Sequence, residues 1–235
     1  MAIFTTRDKC KIFYEEHGSG EPLILVHGWG GSSVFFKDLV ETFSKKYHVV
    51  NYDLRGHGKS DRGEITERNM NLTRFAEDLH ELIEFLKLDR VNIVGWSMGT
   101  STLLAYVRSF GCQYVKKFCF IDMTPKLLCD DEWKLGQSCS FNQEDSLGFL
   151  ALIAKDWDEA GEAFGPNCFA KGFDLSSPLY AATKEIIADN TPHCVAYMWI
   201  AMASEDFRPQ LERITVPVLL AYSGDGLLYF PVHGE

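Results

Sequence analysis

Read for the alternation of apolar and polar positions, the first half of the chain breaks into short apolar runs separated by stretches of helical period. Lys11 to Glu16 is strand-like, and Leu23-Ile24-Leu25-Val26 is apolar on both faces, which places it centrally in a sheet. An apolar helix is predicted around Val34 to Phe43, followed by a strand at Tyr47 to Tyr52. Phe75, Leu79, Leu82, Ile83 and Leu86 recur at spacings of three and four, so that helix lays one face on the sheet. Val91 to Val94 and Phe118 to Ile121 are the next strands. Strands alternating with helices predict the α/β class, with a mostly parallel sheet and helices on both faces.

From about Met123 to Arg213 the pattern changes to helical segments, at Leu147 to Trp157, Ala181 to Ala188 and Cys194 to Ser204, before Val216 to Tyr222 returns to strand character. The expected organisation is therefore a core over 1–123, a helical cap insertion over 124–212, and a returning core strand over 213–235. Cys194 to Ala203 is the longest uncharged apolar run. It reaches only half of the ~20 residues that a membrane-spanning helix needs, so it is read as a buried helix and no membrane association is expected.

Composition narrows the function classes. The 235 residues are 46% hydrophobic and 24% charged, as in ordinary globular proteins. A net charge of -10 repels phosphate backbones and anionic lipids, so nucleic acid is not an expected partner. The first nine residues lack the apolar stretch of a signal peptide. Seven cysteines with no C-x-x-C pair fit reduced thiols in a cytoplasmic protein and no metal site. Gly28 and Gly30 imitate part of a dinucleotide fingerprint, but position 33 is Ser33, so no cofactor is expected.

The chemistry is carried by Gly95-Trp96-Ser97-Met98-Gly99, which lies between a predicted strand and a helix beginning near Thr100. In that setting G-x-S-x-G is a nucleophile elbow: the serine sits at positive φ, its hydroxyl stands above the carboxyl edge of the sheet, and side chains two residues to either side would collide. With His27-Gly28-Trp29-Gly30 and Asp53-Leu54-Arg55-Gly56-His57-Gly58-Lys59-Ser60 in the same order along the chain, the sequence resembles the α/β-hydrolase superfamily, in its capped serine esterase-like branch. The resemblance implies a sheet of about eight strands and an oxyanion hole made by the backbone N–H groups of Trp29 and Met98. It also implies acyl transfer from a small-molecule ester through Ser97. His27 is expected to brace its own loop, and Asp53 to Ser60 to be scaffolding.

Two carboxylates end strands on the expected catalytic edge. Asp122 opens Asp122-Met123-Thr124-Pro125, which resembles the D-x-x-P turn of a group of small esterases. Asp225, in Ser223-Gly224-Asp225-Gly226, is the alternative acid, although its spacing from Gly224 departs from the superfamily pattern. The superfamily places its general base ~25 to 40 residues beyond Asp225, and the sequence stops at Glu235. The base is therefore unassigned, with His233 expected to face solvent and His193 to be structural or to line the pocket. The resulting expectation is a chain lacking the fold's last strand and helix, with an exposed apolar sheet edge capable of association. A carboxylesterase-type serine hydrolase is the leading function. A non-catalytic ligand-binding protein, or an acyltransferase, thioesterase or carbon–carbon hydrolase using the same serine, stands as the alternative.

Overall fold

The computed structural model describes residues 2–62, 66 and 68–234. Among them seven strands form one sheet: β1 (Ala2–Thr5), β2 (Lys11–His17), β3 (Glu21–Val26), β4 (Tyr47–Tyr52), β5 (Val91–Trp96), β6 (Val115–Ile121) and β7 (Val218–Ala221). Their order across the sheet is β1-β2-β4-β3-β5-β6-β7. The pairs β1·β2 and β2·β4 are antiparallel, and every pair from β4 to β7 is parallel.

The two-residue period of β3 builds the layers. Leu23 and Leu25 pack with Phe36, Val40, Val49 and Val94 on the side covered by α1 (Lys37–Phe43). Ile24 and Val26 point the other way, into the core shared with α2 (Leu72–Phe85) and α3 (Met98–Phe110). Ile24, Leu25, Phe75, Leu79 and Leu103 have no exposed surface. Each such burial contributes about 1.5–3 kcal/mol, so the centre of the sheet is where the fold is most firmly specified.

Between β6 and β7 run α4 (Gln143–Lys155), α5 (Trp157–Phe164), α6 (Pro178–Ala188), α7 (Pro192–Ser204) and the short α8 (Arg208–Leu211). The segment expected as one helix over Leu147 to Trp157 is two, because Asp156 adopts an extended conformation (φ -154°, ψ 103°) and its carboxylate accepts the Glu159 N–H, starting α5. The run Cys194 to Ala203 lies within α7, with Cys194, Val195, Met198, Trp199 and Met202 buried. Among the described residues no helix is long and apolar enough to cross a membrane.

Two features depart from the sequence reading. β1 carries only one inward side chain, Phe4, beside an exposed Ile3, too little alternation to signal a strand. The predicted helix around Val34 to Phe43 opens with a 3-10 turn over Ser33–Phe36. At the opposite sheet edge β7 pairs only with β6 among the described residues, and its Leu219 and Leu220 are 64% and 45% exposed.

A buried ionic cluster fastens the loop after β4. Arg55, 3% exposed, donates to Asp78 from Nε and Nη2 at 2.6 and 2.7 Å, and to Asp8 from Nη1 and Nη2 at 2.9 and 3.0 Å. Arg74 shares Asp78 at 2.8 Å. One guanidinium thus joins the β1–β2 connection, the β4 loop and α2.

Candidate active site

The elbow is built by close approach of main chains. Ser97 has φ 52° and ψ -120°, a conformation that side chains rarely adopt, and it stands between β5 and α3. Its N–H donates to Ile121 O at 2.9 Å, its carbonyl accepts from Thr100 N at 2.8 Å, and Thr100 Oγ1 donates to Gly95 O at 2.7 Å. A Cβ on Gly95 would lie 2.7 Å from Thr100 N, and one on Gly99 only 2.1 Å from Val26 O. A Cβ on Gly28 would lie 3.1 Å from Ser97 Cβ, so the loop after β3 passes directly against the serine.

That loop is held through the peptide joining Gly28 to Trp29. Leu54 N–H donates to His27 Nε2 at 3.0 Å, so the proton of this buried imidazole is on Nδ1, which donates to Gly28 O at 2.8 Å. Gly31 N–H reaches the same carbonyl at 3.2 Å. In a trans peptide the N–H points opposite the C=O, so fixing Gly28 O also fixes the direction of the Trp29 N–H. Met98 is the first residue of α3, where a helical N–H has no carbonyl one turn earlier to bond.

Ser97, Gly28, Trp29 and Asp122 line one cavity of about 150 Å³, walled by Phe35, Trp96, Phe164, Cys168, Phe169, Leu228 and Tyr229. Burial pushes the Cys168 thiol up to about 12, so it remains protonated. Asp122 follows β6 at φ 46°, and its Oδ1 accepts the Ser223 N–H at 3.0 Å. Burial raises the Asp122 pKa, against the opposing pull of the Ser223 N–H and of His233. Asp225 is exposed and does not line the cavity, although its neighbours Gly226 and Leu227 do.

No histidine lines this cavity among the described residues. His27 and His57 are buried in the scaffold, where their rings meet edge to face at 4.9 Å. His17 and His48 lie beside Glu15 and Glu16, His80 stacks on Phe110, and His193 is exposed on α7 rather than pocket-lining. His233 does not face solvent as the sequence suggested. It is half-buried, stacked on Tyr222, with Phe230 N–H donating to Nδ1 at 2.8 Å and Nε2 3.0 Å from Gly136 O. In the tautomer that satisfies both contacts, its one lone pair is spent on main chain.

Residues Asp53 to Ser60 are brought to the loops behind the site and not to the cavity. Asp53 accepts Ser33 N–H at 2.7 Å and Lys59 N–H at 2.8 Å. Burial lowers the pKa of His27, against the opposing influence of Asp53 and the Gly28 carbonyl, and lowers that of His57 further. A pH dependence follows. Below the ordinary histidine value of 6.5 the unfolded chain takes up protons that these rings refuse in the fold, so stability falls as pH falls, by up to about 1.4 kcal/mol per pH unit for each ring. Thermal melts between pH 6.5 and 5.5 should show a falling midpoint; a flat profile would contradict neutral, buried rings.

With this geometry established, comparison with known proteins places the chain. Residues 21–233 match the family model of the alpha/beta hydrolase fold. The chain belongs to that family. It is 32% identical to a non-heme haloperoxidase of Rhodococcus erythropolis, the match covering 96% of this chain and 82% of the relative. A non-heme chloroperoxidase of Kitasatospora aureofaciens is 27% identical, with 96% and 81% covered. Among solved structures, an esterase of Exiguobacterium antarcticum superposes with a TM-score of 0.88 at 26% identity, covering 99% of this chain and 84% of its own. These relatives make this α/β hydrolase an enzyme-family member with esterase and haloperoxidase kin.

The sequence carried no signal for several residues of the site. Cys168, Phe169 and Tyr229 reach the cavity from beyond β6, where helical period reports burial but not which helix end meets Ser97. Gly28 was visible as part of a motif, but its contact with Ser97 was not. Asn190, which holds Gly30 O at 2.8 Å, lies 160 positions away in sequence.

Proposed function

We propose that this α/β hydrolase is built for carboxylesterase-type acyl transfer on small or medium esters, with residues 124–212 acting as its cap. Ser97 Oγ attacks the ester carbonyl carbon, and its proton passes to a base. The oxyanion is received by the N–H groups of Trp29 and Met98, and collapse expels the alcohol. Water then attacks the acyl-serine and releases the acid. Asp122 is the triad acid in this reading; Asp225, exposed and off the cavity, is the poorer choice. The observation that carries the reading is the strained Ser97 set against Gly28 in a cavity that Asp122 shares and that aromatic side chains wall. A cavity of about 150 Å³ that opens to solvent has room for a small acyl group beside Ser97.

The base sets the experiment. Loss of the triad histidine lowers kcat about a millionfold in a well-characterised serine protease, so the chain alone should hydrolyse p-nitrophenyl acetate no faster than Ser97→Ala. Free imidazole should then restore a rate in the parent chain that exceeds the same addition to Ser97→Ala, and in its presence a fluorophosphonate should label Ser97. No serine-dependent increment and no labelling would refute the serine mechanism. Serine-dependent turnover without imidazole would refute the missing base. The lack of a cavity-lining histidine among the described residues favours one second reading, a non-catalytic binding protein. Tight binding of a small ester with neither labelling nor rescue would establish it.

A further inference from the structure

The loop Gly28-Trp29-Gly30-Gly31 has three glycines in four residues and therefore a large intrinsic freedom that something must remove. Part of it is removed at one end, where His27 Nδ1 holds Gly28 O and the loop closes on the same carbonyl through the Gly31 N–H. The other end is gripped from the helices inserted between β6 and β7. Trp29 Nε1–H donates to Val195 O of α7 at 2.8 Å, and the Trp29 ring is enclosed by Phe149, Trp157, Phe164 and Trp199 at centroid distances of 4.9 to 5.8 Å. Asn190, in the turn between α6 and α7, donates from Nδ2 to Gly30 O at 2.8 Å.

Asn190 is the decisive contact. Gly30 stands at φ 64°, and the nearest group to its open side is Asn190 Nδ2, 3.9 Å from where a Cβ would lie, so packing does not hold this peptide. The same amide nitrogen lies 3.0 Å from the carbonyls of both Ile186 and Ile187, at the C-terminal turn of α6. Two protons therefore serve three carbonyls, two on the helix and one on the loop. Asn190 is 6% exposed and its Oδ1 has no partner among the described residues. A residue needed only to cap α6 could sit at the surface with both ends of its amide solvated. Burial beneath Gly30 with one end unsatisfied is what holding the loop requires.

We propose that Asn190 is a positioning residue for the oxyanion loop: it holds Gly30 O, and through that trans peptide the Gly31 N–H that bonds Gly28 O, so that one of the two bonds aiming the Trp29 N–H depends on the end of α6. This rests on the reading of Trp29 as an oxyanion donor. The test is Asn190→Asp in the full chain, a near-isosteric change that removes the N–H donors, followed by amide NMR and imidazole-supported hydrolysis. The Trp29, Gly30 and Gly31 amides should broaden or shift while those of β5 and α3 stay unchanged. The Ser97-dependent kcat should fall about tenfold at unchanged KM, the mark of a donor used in the transition state. Changes confined to Ile186, Ile187 and Asp189 would overturn the proposal, leaving a helix cap only. Should Asn190→Asp fail to fold, Asn190→Ala removes the same donors without adding a charge, and unchanged Trp29, Gly30 and Gly31 amides there would overturn the proposal equally. If the parent shows no Ser97-dependent rescue, the serine reading fails while the NMR arm still decides whether the loop is held.

Discussion

Gly99→Ala should abolish folding or lower stability by at least about 3 kcal/mol, the upper range for overpacking a rigid site. The added carbon would lie 2.1 Å from Val26 O, 2.8 Å from Val26 C and 2.9 Å from His27 O. All three are backbone atoms at the end of β3, a strand hydrogen-bonded on both sides, so none can move without shearing the sheet. Gly148→Ala provides the control. Gly148 is exposed within α4 and a Cβ there meets nothing within 4 Å, so alanine should stabilise by about 0.5–1 kcal/mol through reduced backbone freedom. Urea denaturation of the two variants should move in opposite directions. A folded Gly99→Ala of parental stability would mean that α3 does not press against β3 as described.

The second large effect concerns Arg55. Replacing it by methionine leaves Asp78, itself 1% exposed, with Arg74 as its remaining cationic partner, and strips Asp8 of its bidentate contact. Removing one member of a buried ion pair typically costs about 3–5 kcal/mol, because the stranded charge has lost water and partner together. Arg55→Met should therefore lose about 3 kcal/mol in chemical denaturation. Adding Asp78→Leu should recover much of that loss, since two apolar groups replace two desolvated ions. A double variant no more stable than the single one would show that the pair contributes through the geometry of its loop, beyond simple charge compensation.

How far the sequence discloses these features follows from the range of the interactions. The strands at Leu23 to Val26 and Tyr47 to Tyr52 were legible because burial on their faces is written into consecutive residues. The elbow was legible because its residues are consecutive in sequence and Gly95 is crowded by Gly99 and Thr100 across one turn, although the crowding of Gly99 against Val26 is long-range. β1 was not, since four residues with a single buried side chain carry no period. The break at Asp156 could have been suspected from an acidic residue ahead of Trp157-Asp158-Glu159, a helix-start pattern inside an apparently continuous helix. The docking of His233 against Gly136 O and the grip of Asn190 on Gly30 join positions 97 and 160 apart. Neither residue sits in a pattern that distinguishes it from a surface histidine or an ordinary helix-end asparagine.

The placement of Ser97 and Asp122 at the tips of adjacent, in-register strands has a consequence for divergence. Trp96 pairs with Ile121 in the β5·β6 ladder, and Ser97 N–H bonds to Ile121 O, so the spacing between the two positions is inherited from the sheet itself. What the segment after β7 lends to Asp122 is a peptide N–H, that of Ser223, which every amino acid except proline can provide. Of the cavity-lining side chains in that segment, Leu227 is thus at liberty to vary, whereas Tyr229, buried with its hydroxyl on Met123 Sδ, is not, and the Ser97-to-Asp122 spacing is set by the strand pairing.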